Sequence, residues 1–225
     1  NNQMSGDLET ERQCEIETLL HKPISQLSTP MHTDTVGIYE PYANKQFESY
    51  NFLSEECNNI FSTDDNTIIN STNMDVYYTD DAINIIDSKG FRSSEDFKKS
   101  IDFGVSRRSN VNNFGNGSKY LYINKKYNTP RGIHIIITNI YNPEIDTCEL
   151  HGSYIYTTKK NKQPNTSFIE LERIKEIITH DYITEKIIKC IDEEDYLNSP
   201  WTFKLASKAE EVVEDLTLEK YNQVL

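Results

Sequence analysis

Positive charge is scarce in this chain: 23 Lys/Arg stand against 36 Asp/Glu, a net charge of −13 over 225 residues. That balance argues against general nucleic-acid binding, which runs on phosphate neutralisation by a basic surface. Glycine is rarer still, with 8 in the whole chain. Four cysteines (Cys14, Cys57, Cys148, Cys190) lie far apart with no CxxC pair, which excludes the common zinc-ligand spacing and fits scattered reduced thiols. No run of about 18 apolar residues occurs, so no membrane span is expected. The opening residues NNQMSGDLET carry no apolar stretch of the signal-peptide kind, and an intracellular location is the expectation. Against it stand sequons at Asn70, Asn116 and Asn165, which with two disulfides would suit a secreted binding module. Low hydrophobic content (36%) is offset by 14 Tyr, 9 Phe and several isoleucine runs, enough for a folded core.

What little glycine there is gathers in one place. Gly90, Gly104, Gly115 and Gly117 make half of the total, and the last three sit in IDFGVSRRSNVNNFGNGSK, Ile101–Lys119. Between Lys89 and Gly132 ten Lys/Arg meet three Asp/Glu, a local +7 in an otherwise acidic chain. Glycine lets the backbone lie against a ligand, and backbone N–H groups with nearby cations suit an anion such as a nucleotide phosphate. A basic, glycine-bearing binding loop is therefore expected over this stretch.

Around it the periodicities set an α+β order. Phe47, Tyr50, Leu53, Cys57, Ile60 and Phe61 recur at three and four, predicting an amphipathic helix on which Glu55 and Asn59 share a face. A carboxylate and an amide on one helix face suit a general base and a metal ligand. Strands are expected around Asp75–Tyr78 and Ala82–Ile86, the second running into the turn Asp87-Ser88-Lys89-Gly90. Ser93 and Ser94 before Asp96 predict a capped short helix ending near Phe103, with Phe97 and Ile101 inward. Ile133–Ile140 reads as a buried strand and Ser153–Thr157 as another. Two helices follow, marked by Phe168, Leu171, Ile174 and Ile178, then by Ile183, Ile187 and Ile191. A last acidic helix is expected over Ala206–Tyr221.

The ordered pieces Glu55-Glu56-Cys57-Asn58-Asn59-Ile60, Asp87-Ser88-Lys89-Gly90, Phe103-Gly104-Val105-Ser106 and Phe114-Gly115-Asn116-Gly117-Ser118-Lys119 resemble the boxes of the GHKL ATPase superfamily. The microrchidia (MORC) branch, with E-x-x-D-N-A, an aspartate-glycine turn, F-G-x-S and Y-G-N-G-F-K, is the most similar. The resemblance spans about Tyr39 to Asp195. It implies a Bergerat-type α+β sandwich, a mixed and mostly antiparallel sheet with helices on one face. It also implies three regions: an N-terminal extension (1–38), a nucleotide-binding domain (39–195) and a C-terminal helical appendage (196–225). By the same resemblance Glu55 would be the general base and Asn59 the Mg²⁺ ligand. Asp87 would accept from the adenine amino group, beside Gly90. Ser106, Gly115, Asn116, Gly117 and Lys119 would cradle the phosphates of ATP. The family further implies ATP-dependent homodimerisation, a chromatin role and a nuclear location. Departures are plain: D-S-K-G is one glycine short of D-x-G-x-G, and Asn58 and Ser118 replace an acid and an apolar residue. No counterpart of the family's later G-T-x-I-x-x-W strand or of a transducer lysine is legible. An ATP-binding pseudo-enzyme is therefore as open as an active ATPase. A different class, an ADP-ribosyltransferase-like NAD-binding domain, has Val76-Tyr77-Tyr78 and the pair Glu170/Glu172 in its favour. It lacks that family's opening Arg or His and any Ser-Thr-Ser strand.

Overall fold

The computed structural model describes residues 28–29, 49–61, 72–101, 124, 126–127, 133–157, 164–208 and 217–222. These form an α+β fold built on one open sheet. Its strands are β1 (Ser28–Thr29), β2 (Asn73–Tyr78), β3 (Ala82–Asp87), β4 (Ile133–Asn142), β5 (Thr147–Thr157), β6 (Pro164–Phe168), β7 (Trp201–Ser207) and β8 (Thr217–Asn222). The helices are α1 (Ser49–Phe61), α2 (Ser94–Ile101), α3 (Leu171–Ile178) and α4 (Asp181–Ile191). Across the sheet the order is β1-β6-β5-β4-β7-β3-β2-β8, and every described pairing is antiparallel.

Local chemistry explains most of the elements. The β2–β3 hairpin closes on Asp80-Asp81. There the Thr79 N–H donates to the Ala82 carbonyl, and the Thr79 hydroxyl accepts from the Asp81 and Ala82 N–H groups. At the start of α2 the Ser93 hydroxyl accepts from the Asp96 N–H at 3.1 Å, the capping bond expected of that serine. Phe97 and Ile101 then face inward, as their spacing predicts.

Both faces of the central strands are covered. Ile83, Ile85, Ile136 and Ile140 pack in one cluster with Ile60 and Phe61 of α1 and with Phe97 and Ile101 of α2. Ile86, Ile135, Ile137, Trp201, Phe203 and Leu205 pack in another with Ile174 and Ile178 of α3 and Ile183 and Ile187 of α4. The resemblance implies helices on one face; the described helices instead lie on both, α1 with α2 on one side and α3 with α4 on the other. The physical reason is β3, where AINIID is buried along its whole length and so needs cover on both sides.

The expected appendage 196–225 differs more. Residues 201–207 form β7, which pairs with β3 on one edge and β4 on the other, and 217–222 form β8 along β2. A boundary near residue 195 would cut the sheet through its middle. The helix expected over Ala206–Tyr221 is not formed at its described ends, which lie in β7 and β8, while residues 209–216 fall outside the described residues. Entry into β7 is set by Asn139, whose side-chain amide donates to the carbonyls of Tyr196, Leu197 and Ser199 at 3.3, 2.8 and 2.9 Å. The Trp201 indole N–H adds a bond to the Tyr196 carbonyl at 2.6 Å. Cys57, Cys148 and Cys190 take part in no disulfide among the described residues. No helix among the described residues is long and apolar enough to cross a membrane.

Candidate functional site

Alternation along a strand sends every second side chain to one face. On the face under α1 and α2 this brings together a polar group in an otherwise apolar layer. Asp87 ends β3 directly opposite Thr202 of β7, and Thr202 is in turn opposite Thr138 of β4. The two hydroxyls are 3.1 Å apart, and that of Thr138 also donates to the Trp201 carbonyl at 3.0 Å. An acid and two hydroxyls thus line up across three adjacent strands, all three residues nearly out of solvent.

Asp87 is held from behind. Its Oδ1 accepts from the backbone N–H groups of Lys89 at 3.0 Å and Gly90 at 3.3 Å, an Asx turn that fixes the carboxylate plane. Ser88 locks the same turn to β2, its hydroxyl accepting from the Asn73 N–H at 2.8 Å. Gly90 has φ +66°, and a Cβ there would come within 2.7 Å of the Asn139 carbonyl oxygen. Close approach of turn to strand therefore accounts for that glycine within the fold itself. Burial pushes the Asp87 carboxyl up to about 6, against the opposing pull of Lys204 and the two N–H groups and with help from Glu56.

Two residues along β7 from Thr202, Lys204 points to the same face, between Ile85 and Ile136. Its ammonium meets Glu56 Oε2 of α1 at 2.9 Å, and both side chains are almost completely buried. Burial works to lower the Lys204 pKa, but the Glu56 and Asp87 carboxylates outweigh it and the net direction is up. The inward carboxylate of α1 is thus Glu56, set in the line of Leu53 and Ile60. Asn59, half-buried, lies about 60° around the helix from it.

The expected site residues divide accordingly. Asn59 on α1, Asp87 and Gly90 are placed on or beside one sheet face. Glu55 falls within α1, with its side chain outside the described residues. Ser106, Gly115, Asn116, Gly117 and Lys119 lie outside the described residues, as does the rest of the glycine-bearing stretch beyond Ile101. Neither a protein-family model nor a curated protein matches the chain.

Lys204, Thr138 and Thr202 are absent from the sequence reading, and Glu56 enters it only as a member of a motif, with no role. A signal existed for the pair. Glu56 occupies an inward position of the helical pattern, and Lys204 sits inside WTFKLA, where Trp201, Phe203 and Leu205 mark a strand. A charge at a core position calls for an opposite charge elsewhere. Among the described residues no three His, Cys, Asp or Glu side chains converge as a metal cluster. Magnesium in a nucleotide site takes one or two protein ligands and fills the rest with phosphate and water oxygens, so a lone amide such as Asn59 fits that use.

Proposed function

We propose that the chain is an Mg²⁺-dependent ATP-binding domain of the GHKL/MORC-like kind, whose nucleotide state controls dimerisation or partner binding. The observation that carries this reading is Asp87. It is a buried carboxylate, fixed by two backbone N–H groups, on the sheet face covered by the helix that bears Glu55 and Asn59. Such an acceptor, its oxygen already oriented, suits the exocyclic amino group of adenine: the base is read by a group that need not reorganise on binding. The chain order of helix, hairpin, aspartate turn and short capped helix agrees with the order of the family's boxes.

In this reading Asp87 selects the base, and Asn59 offers its amide oxygen to the metal. Glu55 orients the attacking water if hydrolysis occurs. Bound Mg²⁺ supplies neutralisation of charge on the phosphates. The glycine-bearing stretch would supply backbone donors to them.

Isothermal titration of the protein with a non-hydrolysable ATP analogue, with and without Mg²⁺, tests the proposal. Binding strengthened by Mg²⁺ is expected, with Asn59→Ala losing the Mg²⁺-dependent part and Asp87→Ala weakening affinity at least about tenfold, near 1.4 kcal/mol. Glu55→Ala should keep binding and abolish any turnover. Absence of binding by the unaltered protein in both conditions would overturn the reading.

A further inference from the structure

The α1–sheet contact holds one expensive interaction. Glu56 is fully buried, with Oε2 on the Lys204 ammonium and Oε1 without a hydrogen-bond partner among the described residues. The two residues lie 148 positions apart in the chain, so nothing local brings them together. Removing both charges from water costs more than packing two apolar side chains of the same size, and apolar replacements of such pairs are commonly neutral or stabilising. What an apolar contact lacks is direction: Leu53, Cys57, Ile60 and Phe61 can slide or roll on isoleucines, whereas an ion pair of one acid and one amine closes in a single register. That register sets Asn59, three residues beyond Glu56. Lys204 also sits within electrostatic reach of Asp87, one strand over.

We propose that Lys204 is a positioning residue. Through its ion pair with Glu56 it fixes the slide and rotation of α1 over the sheet, and hence the reach of Asn59 toward a phosphate-bound metal while Asp87 holds the base. This rests on the nucleotide reading above.

The test uses the full chain and the double variant Glu56→Leu/Lys204→Met, with Glu56→Gln as a milder second. The double variant removes one charge that raises the Asp87 pKa and a stronger one that lowers it, so the carboxyl moves further up, and binding is compared at a pH well above about 6, where it stays ionised. It is expected to unfold at a urea concentration no lower than the unaltered protein. Amide hydrogen exchange in α1 should quicken about tenfold or more while β3, β4 and β7 keep their protection. The Mg²⁺-dependent gain in analogue affinity should fall about tenfold with Mg²⁺-free affinity retained. A pair that merely stabilises the fold would move neither the exchange contrast nor the metal-dependent gain, and either result staying at its original value overturns the proposal. Should the double variant not fold, the same two readouts on Glu56→Gln decide it. If the unaltered protein binds no analogue, the nucleotide reading fails by itself, and the exchange contrast alone judges whether the pair sets the helix register.

Discussion

Asp87 links the turn, the sheet and the proposed ligand, and its protonation should be visible in stability. Its carboxyl is raised from an ordinary 3.8 to about 6, so the folded chain binds this proton more tightly than the unfolded one. Protonation therefore favours the fold. The contribution is full below 3.8 and is lost as pH rises through about 6. A shift of that size corresponds to a stability change on the order of 2–3 kcal/mol. Asn at this position keeps the acceptor for the Lys89 and Gly90 N–H groups and removes the charge. Urea unfolding of Asp87→Asn should thus show a gain over the unaltered protein at pH 7.5 that shrinks or reverses at pH 4.5. Equal differences at the two pH values would mean that the buried carboxyl does not titrate in this window.

At the scale of elements, α4 shows how single side chains anchor a layer. Ile187 is fully buried between the helix and the sheet, in the cluster of Trp201 and Phe203. Ile187→Ala should cost about 2–5 kcal/mol through lost transfer energy and a residual cavity, measured by denaturant titration. Elements of this kind were legible in the sequence because each carries its own period. Leu53, Cys57, Ile60 and Phe61 mark α1; Ser93 with Phe97 and Ile101 marks α2; the isoleucines of 174–191 mark α3 and α4. The two strands of the hairpin 73–87 were legible from their alternation; that they pair across Asp80-Asp81 is shown by the structure. By contrast β7 was missed although Trp201, Phe203 and Leu205 alternate with Thr202 and Lys204, a strand period in the sequence itself. What that period hides is that the polar face is buried too, since all seven residues are out of solvent. The site followed the same divide. Asp87 and Gly90 were visible as a turn at a strand end, whereas Thr138 and Thr202 meet only through strand pairing, and Glu56 and Lys204 only where α1 packs on β7.

For the molecule as a whole, the insertion of β7 between β3 and β4 is what makes one sheet of two parts. A chain stopped after residue 199 would leave β3 and β4 each with a bare inner edge, ready to pair with other chains. Such a truncation should elute as aggregates in size exclusion and lose its cooperative urea transition. Truncation after residue 208, which keeps β7, should stay monodisperse and cooperative.

The position of β7 also bears on how the protein is made. During synthesis the hairpins and helices up to residue 199 leave the ribosome before their keystone does, and for that interval the nascent polypeptide exposes two isoleucine-rich flanks with no neighbour. Long-range closure of this kind is slow relative to local helix and hairpin formation. Until residues 201–207 are made, β3 and β4 lack the strand with which both of them pair, and the centre of the sheet cannot close before that point.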